Sequence, residues 1–257
     1  MKRLFCLLMA IMILLTAAGC MKAAASTPSP EPSAPPSPAF SPEPTPKPSP
    51  VPVTLAETED MGQAYIDGVI FFGDSNIRRL TTLGLVENKN VWATQSGVLT
   101  LGNWDASRIV YPETGEDLFV WEAAERAKPP LMIITMGTNG VSFLEEAYFK
   151  KAYTAMVEAI REASPDTRLI LNSIYPVDET LAGQAKLTNA RIAAANDWIR
   201  SIAEAEGARY LDTNAYLADE SGSLAADYCD RDGYHLTYAG EEQVLNVVRT
   251  HAWEDEA

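Results

Sequence analysis

Short apolar runs recur through residues 61–257, and they restrict the possible fold more than any other feature of the sequence. Each run has four or five residues, ends at a turn and leads into a stretch of helical composition. The five runs are residues 68–72, 90–93, 131–135, 168–172 and 208–211. Strands that are apolar on both faces are typical of a parallel sheet covered by helices on both sides. We therefore predict an α/β fold, a three-layer α/β/α sandwich whose central parallel sheet has about five strands.

Three longer segments between and after these runs have helical composition. They are Phe143–Ala163, Thr188–Glu206 and Thr237 to about Trp253. In the first segment, apolar residues recur near one face at three- and four-residue spacings: Phe143, Ala147, Met156 and Ile160. Because such helices alternate with parallel strands, we expect the functional site at the carboxyl ends of the strands.

The N-terminal segment, residues 1–20, has the features of an export signal. Lys2 and Arg3 precede the apolar run Leu4–Leu15, and small residues lead to Cys20. The run is shorter than the roughly 20 residues that span a bilayer, although a retained signal anchor is the alternative. Ala-Ala-Gly before Cys20 resembles the lipobox of bacterial lipoproteins, in which the cysteine is lipidated. We therefore expect a lipoprotein signal peptide and an extracytoplasmic protein anchored to the bacterial membrane through Cys20.

Residues 21–60 are expected to be a disordered linker. Twelve of the 17 prolines lie between Pro28 and Pro52, in a segment with almost no large apolar residue. Such a segment cannot bury enough apolar surface to offset the entropy that ordering costs. We interpret it as a tether, with a proline-rich ligand for a binding domain as the alternative. Residues 61–257 then form one domain of ordinary size.

The charge and the cysteines of the chain restrict its partners. The net charge is −15, and residues 61–257 contain 30 acidic but 16 basic residues. Nucleic-acid binding needs a basic surface, so we expect no nucleic-acid partner. Cysteines occur at Cys6, Cys20 and Cys229, too few and too scattered for a disulfide framework or a zinc site. We therefore expect no metal and no cofactor, and we expect a monomer.

A serine follows the first apolar run. Gly73, Asp74, Ser75 and Asn76 connect that run to a predicted helix. At such a turn the serine hydroxyl stands at the rim of the sheet and its backbone N–H lies at a helix N-terminus, which suits a nucleophile. The alternative is an ordinary helix N-cap formed by Asp74 or Ser75.

A serine nucleophile needs a base, and the chain has two histidines. His251 lies at the end of the last predicted helix, and we expect it at the surface. His235 lies in an irregular segment before that helix, three residues after Asp232. Gly233 lets this segment turn, so that the Asp232 carboxylate can orient the imidazole and stabilise its cation.

Two further strand ends offer groups that could bind an oxyanion. Gly97 follows the second run, and glycine allows the backbone to approach a substrate closely. Asn139 follows the third run, where its side-chain N–H could donate to the same oxygen. The alternative is that Asn139 and Gly140 form no more than a turn.

Four blocks in chain order resemble the SGNH/GDSL hydrolase superfamily. They are Gly-Asp-Ser at 73–75, Gly97, Gly-Thr-Asn at 137–139 and Asp-x-x-His at 232–235. The resemblance covers the predicted domain from Phe71 to Thr237, and it implies a flavodoxin-like SGNH hydrolase fold and hydrolysis of O-acyl esters. The roles it implies are Ser75 as nucleophile, His235 as base, Asp232 as the acid that orients the base, and Ser75, Gly97 and Asn139 as the oxyanion hole.

Two positions depart from the family pattern, and neither belongs to the implied triad or oxyanion hole. Asn76 replaces the aliphatic residue that often follows the serine, and Gly140 replaces the aspartate that often follows the asparagine. These departures bear on the subfamily and the substrate. The candidates for the substrate pocket are Asn76, Trp104, Tyr111 and Tyr175. We expect Phe119 and Trp121 to belong to the core beneath a long loop.

Together these patterns predict a serine esterase that hydrolyses O-acyl esters, with acetyl groups on carbohydrate as the expected substrate. A lipase or thioesterase for longer acyl chains and an O-acyltransferase are alternatives that use the same triad. An inactive glycan-binding surface lipoprotein is a third alternative. It is disfavoured because all three triad positions carry the residues that catalysis requires. The acidity of the domain favours neutral ester substrates over polyanions.

Overall fold

The computed structural model describes residues 52–253, except for the side chains of Gln184 and Ala185. The predicted signal peptide with its lipidation site Cys20, and linker residues 21–51, lie outside the described residues. Within residues 52–253, no helix is long and apolar enough to cross a membrane.

A parallel sheet of five strands forms the centre of the described chain. Residues 52–253 contain seven strands in all: β1 (Val69–Gly73), β2 (Val91–Trp92), β3 (Ile109–Val110), β4 (Asp117–Leu118), β5 (Leu131–Thr135), β6 (Arg168–Asn172) and β7 (Arg209–Leu211). The sheet has the order β2-β1-β5-β6-β7, with every neighbouring pair parallel, while β3 and β4 form a separate antiparallel pair. All five predicted strands are present, so the predicted parallel sheet is confirmed.

Helices connect the strands. They are α1 (Gly62–Asp67), α2 (Ser75–Thr82), α3 (Val120–Ala127), α4 (Glu146–Ala163), α5 (Asn189–Ala205), α6 (Asn214–Leu217) and α7 (Tyr238–Thr250), with short 3₁₀ turns at Asn88–Asn90 and Ala182–Ala185. The three long predicted helices correspond to α4, α5 and α7. Thr188 and Thr237 cap the last two, because their side chains accept hydrogen bonds from the N–H groups of the first turn.

Alternate residues of each strand face opposite layers of helices. On one face, Phe72 and Ile134 belong to an apolar cluster with residues of α3, α4 and α5. On the other face, Phe71 and Ile133 cluster with residues of α1, α2 and α7. Since successive side chains of a strand point to opposite faces, the continuous apolar runs supply both layers at once. The predicted three-layer sandwich is confirmed.

The apolar face predicted for α4 is wrong at its beginning. The helix begins at Glu146, and Phe143 lies before it with 72% of its surface exposed. Ala147 is also exposed. The buried residues of the helix are Phe149, Ala152, Tyr153, Met156, Val157 and Ile160. Residues 138–143 form turns, so the helical period cannot be extended back to Phe143.

The folded domain begins earlier than the predicted boundary at residue 60. Thr54 pairs in parallel with Tyr210 on β7, and Val53 packs partly against the core. The Tyr210 N–H donates to the Val53 carbonyl at 2.9 Å, and the Leu55 N–H donates to the Tyr210 carbonyl at 2.9 Å. Residues 53–55 therefore cover the edge of β7, and the assignment of residues 52–60 to the linker is wrong. The segment is too short to show an alternating pattern, and it directly follows the prolines.

Candidate active site

Ser75 lies where β1 meets α2. Gly73 ends β1 against β5, and a Cβ at Gly73 would lie 2.3 Å from the Thr135 carbonyl oxygen. Asp74 caps the helix, because its carboxylate accepts a hydrogen bond from the Asn76 N–H at 3.3 Å. The N-cap interpretation is therefore right for Asp74. It leaves Ser75 as the first residue of α2, half-buried, with its N–H among those that have no partner within the helix.

The loop that carries His235 reaches Ser75 across 160 residues of sequence. The Ser75 Oγ lies 2.8 Å from His235 Nε2, and His235 Nδ1 lies 2.5 Å from Asp232 Oδ2. With the Nδ1 proton directed at the carboxylate, Nε2 is the acceptor for the Ser75 hydroxyl. Asp232 Oδ1 also accepts hydrogen bonds from the N–H groups of Tyr234 at 3.2 Å and His235 at 3.0 Å. The structure thus joins the three residues in one hydrogen-bonded chain.

Two acidic groups beside Ser75 differ in their tendency to ionise. Partial burial alone would raise the pKa of Asp232, but hydrogen bonds from the His235 ring and from the N–H groups of His235 and Tyr234 lower that pKa below its ordinary value. Asp232 is therefore ionised at neutral pH and can stabilise a histidine cation. Burial raises the pKa of Asp74 to about 7, although the Asn76 N–H opposes this shift. Within residues 52–253, no group of three or more His, Cys, Asp or Glu side chains is placed to hold a metal ion.

Gly97 lies directly against Ser75. A Cβ at Gly97 would lie 3.4 Å from the Ser75 Cα and 3.5 Å from the Ser75 Cβ, and Gly97 has a φ of +76°. Its N–H donates to the Thr94 carbonyl at 3.0 Å and so closes a turn. Asn139 Nδ2 donates to the Leu99 carbonyl at 3.3 Å, which leaves the second N–H of that amide for another acceptor.

Three of the four predicted pocket residues are buried in the protein interior. Asn76 is 1% exposed, and Tyr111 and Tyr175 are each 2% exposed, so their assignment to a substrate pocket is wrong. Tyr111 packs against Trp92, with ring centroids 6.1 Å apart. Tyr175 belongs to a separate small apolar cluster. A residue type alone does not indicate which way its side chain faces, and here tertiary packing directs all three side chains inward.

Trp104, the fourth predicted pocket residue, belongs to an aromatic cluster with Phe119 and Trp121. The rings of Trp104 and Trp121 meet edge to face at 5.6 Å, and those of Phe119 and Trp121 stack at 4.4 Å. The Arg108 guanidinium lies 3.9 Å from the centroid of the Phe119 ring. Trp104 and Trp121 pack against the core, and all three aromatic residues remain partly exposed. The cluster is therefore part core and part surface.

His251 is not at the surface, contrary to our expectation. Its side chain is 5% exposed, and its Nε2 lies 2.8 Å from the Tyr216 hydroxyl. Its Nδ1 lies 3.0 Å from the Val247 carbonyl oxygen. The ring therefore joins the end of α7 to α6, a contact between helices that a sequence pattern does not show.

The contacts that join α2 to the loop of residues 230–237, here called the histidine loop, were not predicted from the sequence. Arg79 forms an ion pair with Asp230 at 2.8 Å. Asn76 Nδ2 donates to the Tyr234 carbonyl at 3.3 Å, and Asn76 Oδ1 accepts from the Leu236 N–H at 3.3 Å. The one available signal is the departure of Asn76 from the family pattern. The partners are 151 to 160 residues apart, so no local motif reveals them.

Known structures share this fold. A GDSL-like lipase from Bacteroides thetaiotaomicron is 19% identical, with a TM-score of 0.52 over 73% of this chain and 88% of that chain. A protein from Streptococcus pneumonia, described as a candidate platelet activating factor, is 20% identical, with a TM-score of 0.54 over 75% of this chain and 91% of that chain. At such low identities the similarity shows the fold alone.

The sequence comparison is more specific. None of the curated proteins matches the chain significantly. The model of the GDSL-like lipase/acylhydrolase family, however, matches residues 71–243. This match begins in β1, includes Ser75, Gly97, Asn139 and His235, and ends in α7. Because it spans well over half of the sequence, the chain belongs to the GDSL-like lipase/acylhydrolase family of the SGNH/GDSL hydrolases.

Proposed function

We propose that this protein is a serine esterase that hydrolyses O-acyl esters through a covalent acyl-enzyme. The proposal is carried by the hydrogen-bonded chain from Asp232 through His235 to Ser75, whose distances are 2.5 and 2.8 Å. Nucleophile, base and orienting acid stand in the order that acyl transfer requires. Membership of a lipase/acylhydrolase family supports an acyl ester as the substrate.

In the proposed mechanism, His235 acts first as base and then as acid. Its Nε2 takes the proton of the Ser75 hydroxyl while Oγ attacks the ester carbonyl carbon. The ionised Asp232 stabilises the resulting imidazolium. The imidazolium gives its proton to the leaving alcohol oxygen as the C–O bond breaks, which leaves an acyl-enzyme. His235 then takes a proton from water, the water oxygen attacks the acyl-enzyme, and Ser75 is released with its proton restored.

Three donors are proposed for the oxyanion. The Ser75 N–H lies at the positive end of α2, where negative charge is stabilised. The second N–H of Asn139 and the N–H of Gly97 complete the set. Because catalytic hydrogen bonds are often formed only in the complex with substrate, we propose that Gly97 releases the Thr94 carbonyl when the ester binds.

The first test is Ser75→Ala, assayed on p-nitrophenyl acetate. We expect kcat to fall by about 10³-fold or more, since the nucleophile is lost. His235→Gln should have a similar effect, whereas His251→Gln, which changes the other histidine, should retain the wild-type kcat when folded. Wild-type turnover by Ser75→Ala would reject the proposed function.

Asn139→Ala tests the oxyanion hole separately. Removal of one preorganised donor should lower kcat about 10²–10³-fold while KM changes little, because the donor acts on the charge of the transition state. Steady-state kinetics on the same ester measure both constants. If KM rises and kcat does not change, Asn139 binds the substrate instead of the oxyanion.

We propose acetyl groups on neutral carbohydrate as the substrate. The partly exposed aromatic cluster of Trp104, Phe119 and Trp121 offers flat apolar faces of the kind that bind sugar rings. The acidic domain would repel polyanionic substrates. Trp104→Ala should lower kcat/KM about tenfold on acetylated xylan oligosaccharides and leave hydrolysis of p-nitrophenyl acetate unchanged. Acetylated peptidoglycan belongs in the same panel, and equal losses on all esters would contradict a role in sugar binding.

Longer acyl chains are the second candidate, and exposed apolar side chains favour them. Val98, Phe143 and Leu181 have 58%, 72% and 50% of their surface exposed. Val98 follows Gly97, while Phe143 and Leu181 lie within 3.6 Å and 2.7 Å of the Cβ positions of Gly140 and Gly233. Each therefore borders a loop of the site. A higher kcat/KM for octanoyl than for acetyl esters would favour this candidate, and transfer to a sugar in excess of hydrolysis would indicate an acyltransferase.

We also propose that the mature protein is held at the bacterial cell surface by acyl chains on Cys20. The support is the apolar run and the Ala-Ala-Gly-Cys sequence at residues 17–20. Cys20→Ala should move the protein from the membrane fraction to the soluble fraction, and metabolic labelling with a fatty acid should be lost. Unchanged fractionation and labelling would contradict lipidation at Cys20.

A further inference from the structure

Asn76 follows the nucleophile directly, yet its side chain points away from solvent and into the contact between α2 and the histidine loop. It is 1% exposed. Its Nδ2 donates to the Tyr234 carbonyl at 3.3 Å, and its Oδ1 accepts from the Leu236 N–H at 3.3 Å. These two backbone groups flank His235 on either side. A single side-chain amide therefore holds the chain on both sides of the base.

Apart from the bond between its Nε2 and the Ser75 Oγ, the other hydrogen bonds of His235 lie within its own loop. Asp232 binds both the ring and the backbone N–H of His235, at 2.5 and 3.0 Å. The Asp230 N–H donates to the His235 carbonyl at 2.9 Å. These contacts orient the imidazole relative to the loop, but they do not determine where the loop stands relative to Ser75.

Besides the Ser75–His235 hydrogen bond itself, the side chains of Arg79 and Asn76 connect α2 to this loop. The Arg79–Asp230 ion pair connects α2 to the beginning of the loop, and the two side chains of the pair are 29% and 37% exposed. The buried side chain of Asn76 connects α2 to the part of the loop that carries His235. Because Asn76 adjoins Ser75 on the same helix, its two hydrogen bonds relate the backbone of the base to the backbone of the nucleophile.

We propose that Asn76 is a positioning residue, which holds the His235 segment at the distance from α2 at which Nε2 meets the Ser75 Oγ. This inference rests on the proposed function and adds a residue to its machinery. Asparagine suits the position because it supplies one donor and one acceptor in a fixed plane, which matches a carbonyl and an N–H two residues apart. An aliphatic residue at position 76 would leave the partly buried Tyr234 carbonyl and the buried Leu236 N–H without these partners.

The test compares Asn76→Ala and Asn76→Asp with wild type. For each folded variant we measure kcat and KM on p-nitrophenyl acetate and the rate of Ser75 inactivation by a sulfonyl fluoride. Misplacement of a catalytic group by about 1 Å can cost up to about 100-fold, so we expect kcat and inactivation to fall together by about 10- to 100-fold in Asn76→Ala, with KM within about twofold. Asn76→Asp keeps the acceptor and the volume, and its loss should be smaller.

Proton NMR supplies a readout that general destabilisation does not reproduce. The Nδ1–H between His235 and Asp232 should keep its low-field resonance in Asn76→Ala, since that bond lies within the loop, and should lose it in Asp232→Asn.

The matched control is Asn90→Ala. Asn90 is also buried, at 3% exposure, and donates to the Asp67 and Val69 carbonyls at the opposite end of β1. It should lose stability but retain the wild-type kcat.

Three results would overturn the inference. They are wild-type kcat in both folded Asn76 variants, a loss of kcat in Asn90→Ala as large as in Asn76→Ala, and loss of the low-field resonance in Asn76→Ala. Failure of the proposed function is distinguishable, because it would appear as activity in Ser75→Ala. An inactive Ser75→Ala with a fully active Asn76→Ala would reject the role of Asn76 alone.

Discussion

Asparagine side chains take the place of missing backbone partners at several loops of this protein. Asn196 accepts from the Ile174 N–H at 2.7 Å and donates to the Ile174 carbonyl at 3.0 Å. Asn189 does the same for Val177, at 2.9 and 2.8 Å. Asn76 acts on the two neighbours of His235. Since buried N–H and carbonyl groups need partners, each amide stabilises an irregular segment that follows a strand or precedes a helix.

At the scale of single residues, Asp74 makes the stability of the folded state depend on pH. Its pKa in the folded state is about 7 because of burial, against 3.8 for the ordinary value. The folded state therefore binds this proton more tightly than the unfolded state does. It follows that the contribution of Asp74 to stability is greatest at low pH and declines as the pH rises from about 4 to about 7. Burial likewise raises the pKa values of Asp212 and Glu241, which gives the same sign.

We expect Asp74→Asn to weaken this decline. Asparagine keeps an oxygen that can accept from the Asn76 N–H, and it cannot ionise. At about 1.4 kcal/mol per pKa unit, the variant should gain a few kcal/mol relative to wild type between pH 4 and pH 8. Urea unfolding at both pH values measures the free energy of unfolding. Parallel pH dependences of the two proteins would contradict a raised pKa for Asp74.

At the scale of elements, the candidate active site depends on how the 230–237 loop fits between α2 and the segment after β6. Gly233 makes this fit possible: its φ is +85°, and a Cβ there would lie 2.6 Å from the Ala182 nitrogen and 2.8 Å from the Asp178 carbonyl oxygen. The Asp178 N–H donates to the Gly233 carbonyl at 2.8 Å. Two backbones therefore meet at this glycine, two residues before His235.

Gly233→Ala should displace the loop and lower activity. We expect kcat to fall about tenfold or more, with a loss of stability of about 1–3 kcal/mol from backbone strain and the close contacts. Gly222→Ala is the matched control, because Gly222 has a φ of +82° and nothing within 4 Å of its Cβ position. Gly222→Ala should lose only the part of this free energy that comes from the positive φ, and it should keep the wild-type kcat. Equal kcat in the two variants would argue against a role for the loop contact.

At the scale of the whole molecule, the folded unit includes the segment that leads into it. Residues 53–55 bind the edge of β7 through two backbone hydrogen bonds, and Arg209 donates to the Pro52 carbonyl at 2.8 Å. An uncovered strand edge exposes backbone groups that can pair with other chains. The segment therefore stabilises the sheet and protects its edge.

A chain that begins at residue 61 should be less stable than one that begins at residue 49. Loss of the three hydrogen bonds between residues 52–55 and Arg209 and Tyr210 by itself predicts about 1–3 kcal/mol, at about 1 kcal/mol for each bond. The urea midpoint measures this difference, and light scattering measures aggregation through the open edge. Because the site lies at the carboxyl ends of the strands, kcat of the folded fraction should not change. Equal urea midpoints would show that the segment contributes nothing to folding.

Much of this architecture could be predicted from local patterns. Each strand of the parallel sheet lies in a short, mostly apolar run, so these five strands, their parallel arrangement and the long helices follow from short windows of sequence. The antiparallel pair of β3 and β4 has no such run and was not predicted. Ser75, Asp232 and His235 could be identified because each stands in a short motif beside a turn. The patterns failed for two residues. His251 was predicted to lie at the surface and Tyr111 to line a pocket, but both are buried. Their environment depends on distant elements that no short window contains.

The sequence by itself determined the class of fold, the family and the residues proposed for the chemistry, because periodicity and motifs are local properties of a chain. Tertiary structure alone decided that residues 53–55 extend the sheet and that Asn76 faces the histidine loop. It also brought Ser75 and His235 to 2.8 Å across 160 residues. The physical reason is that all three results are contacts between segments far apart in the chain, whose partners are selected by packing of the whole domain.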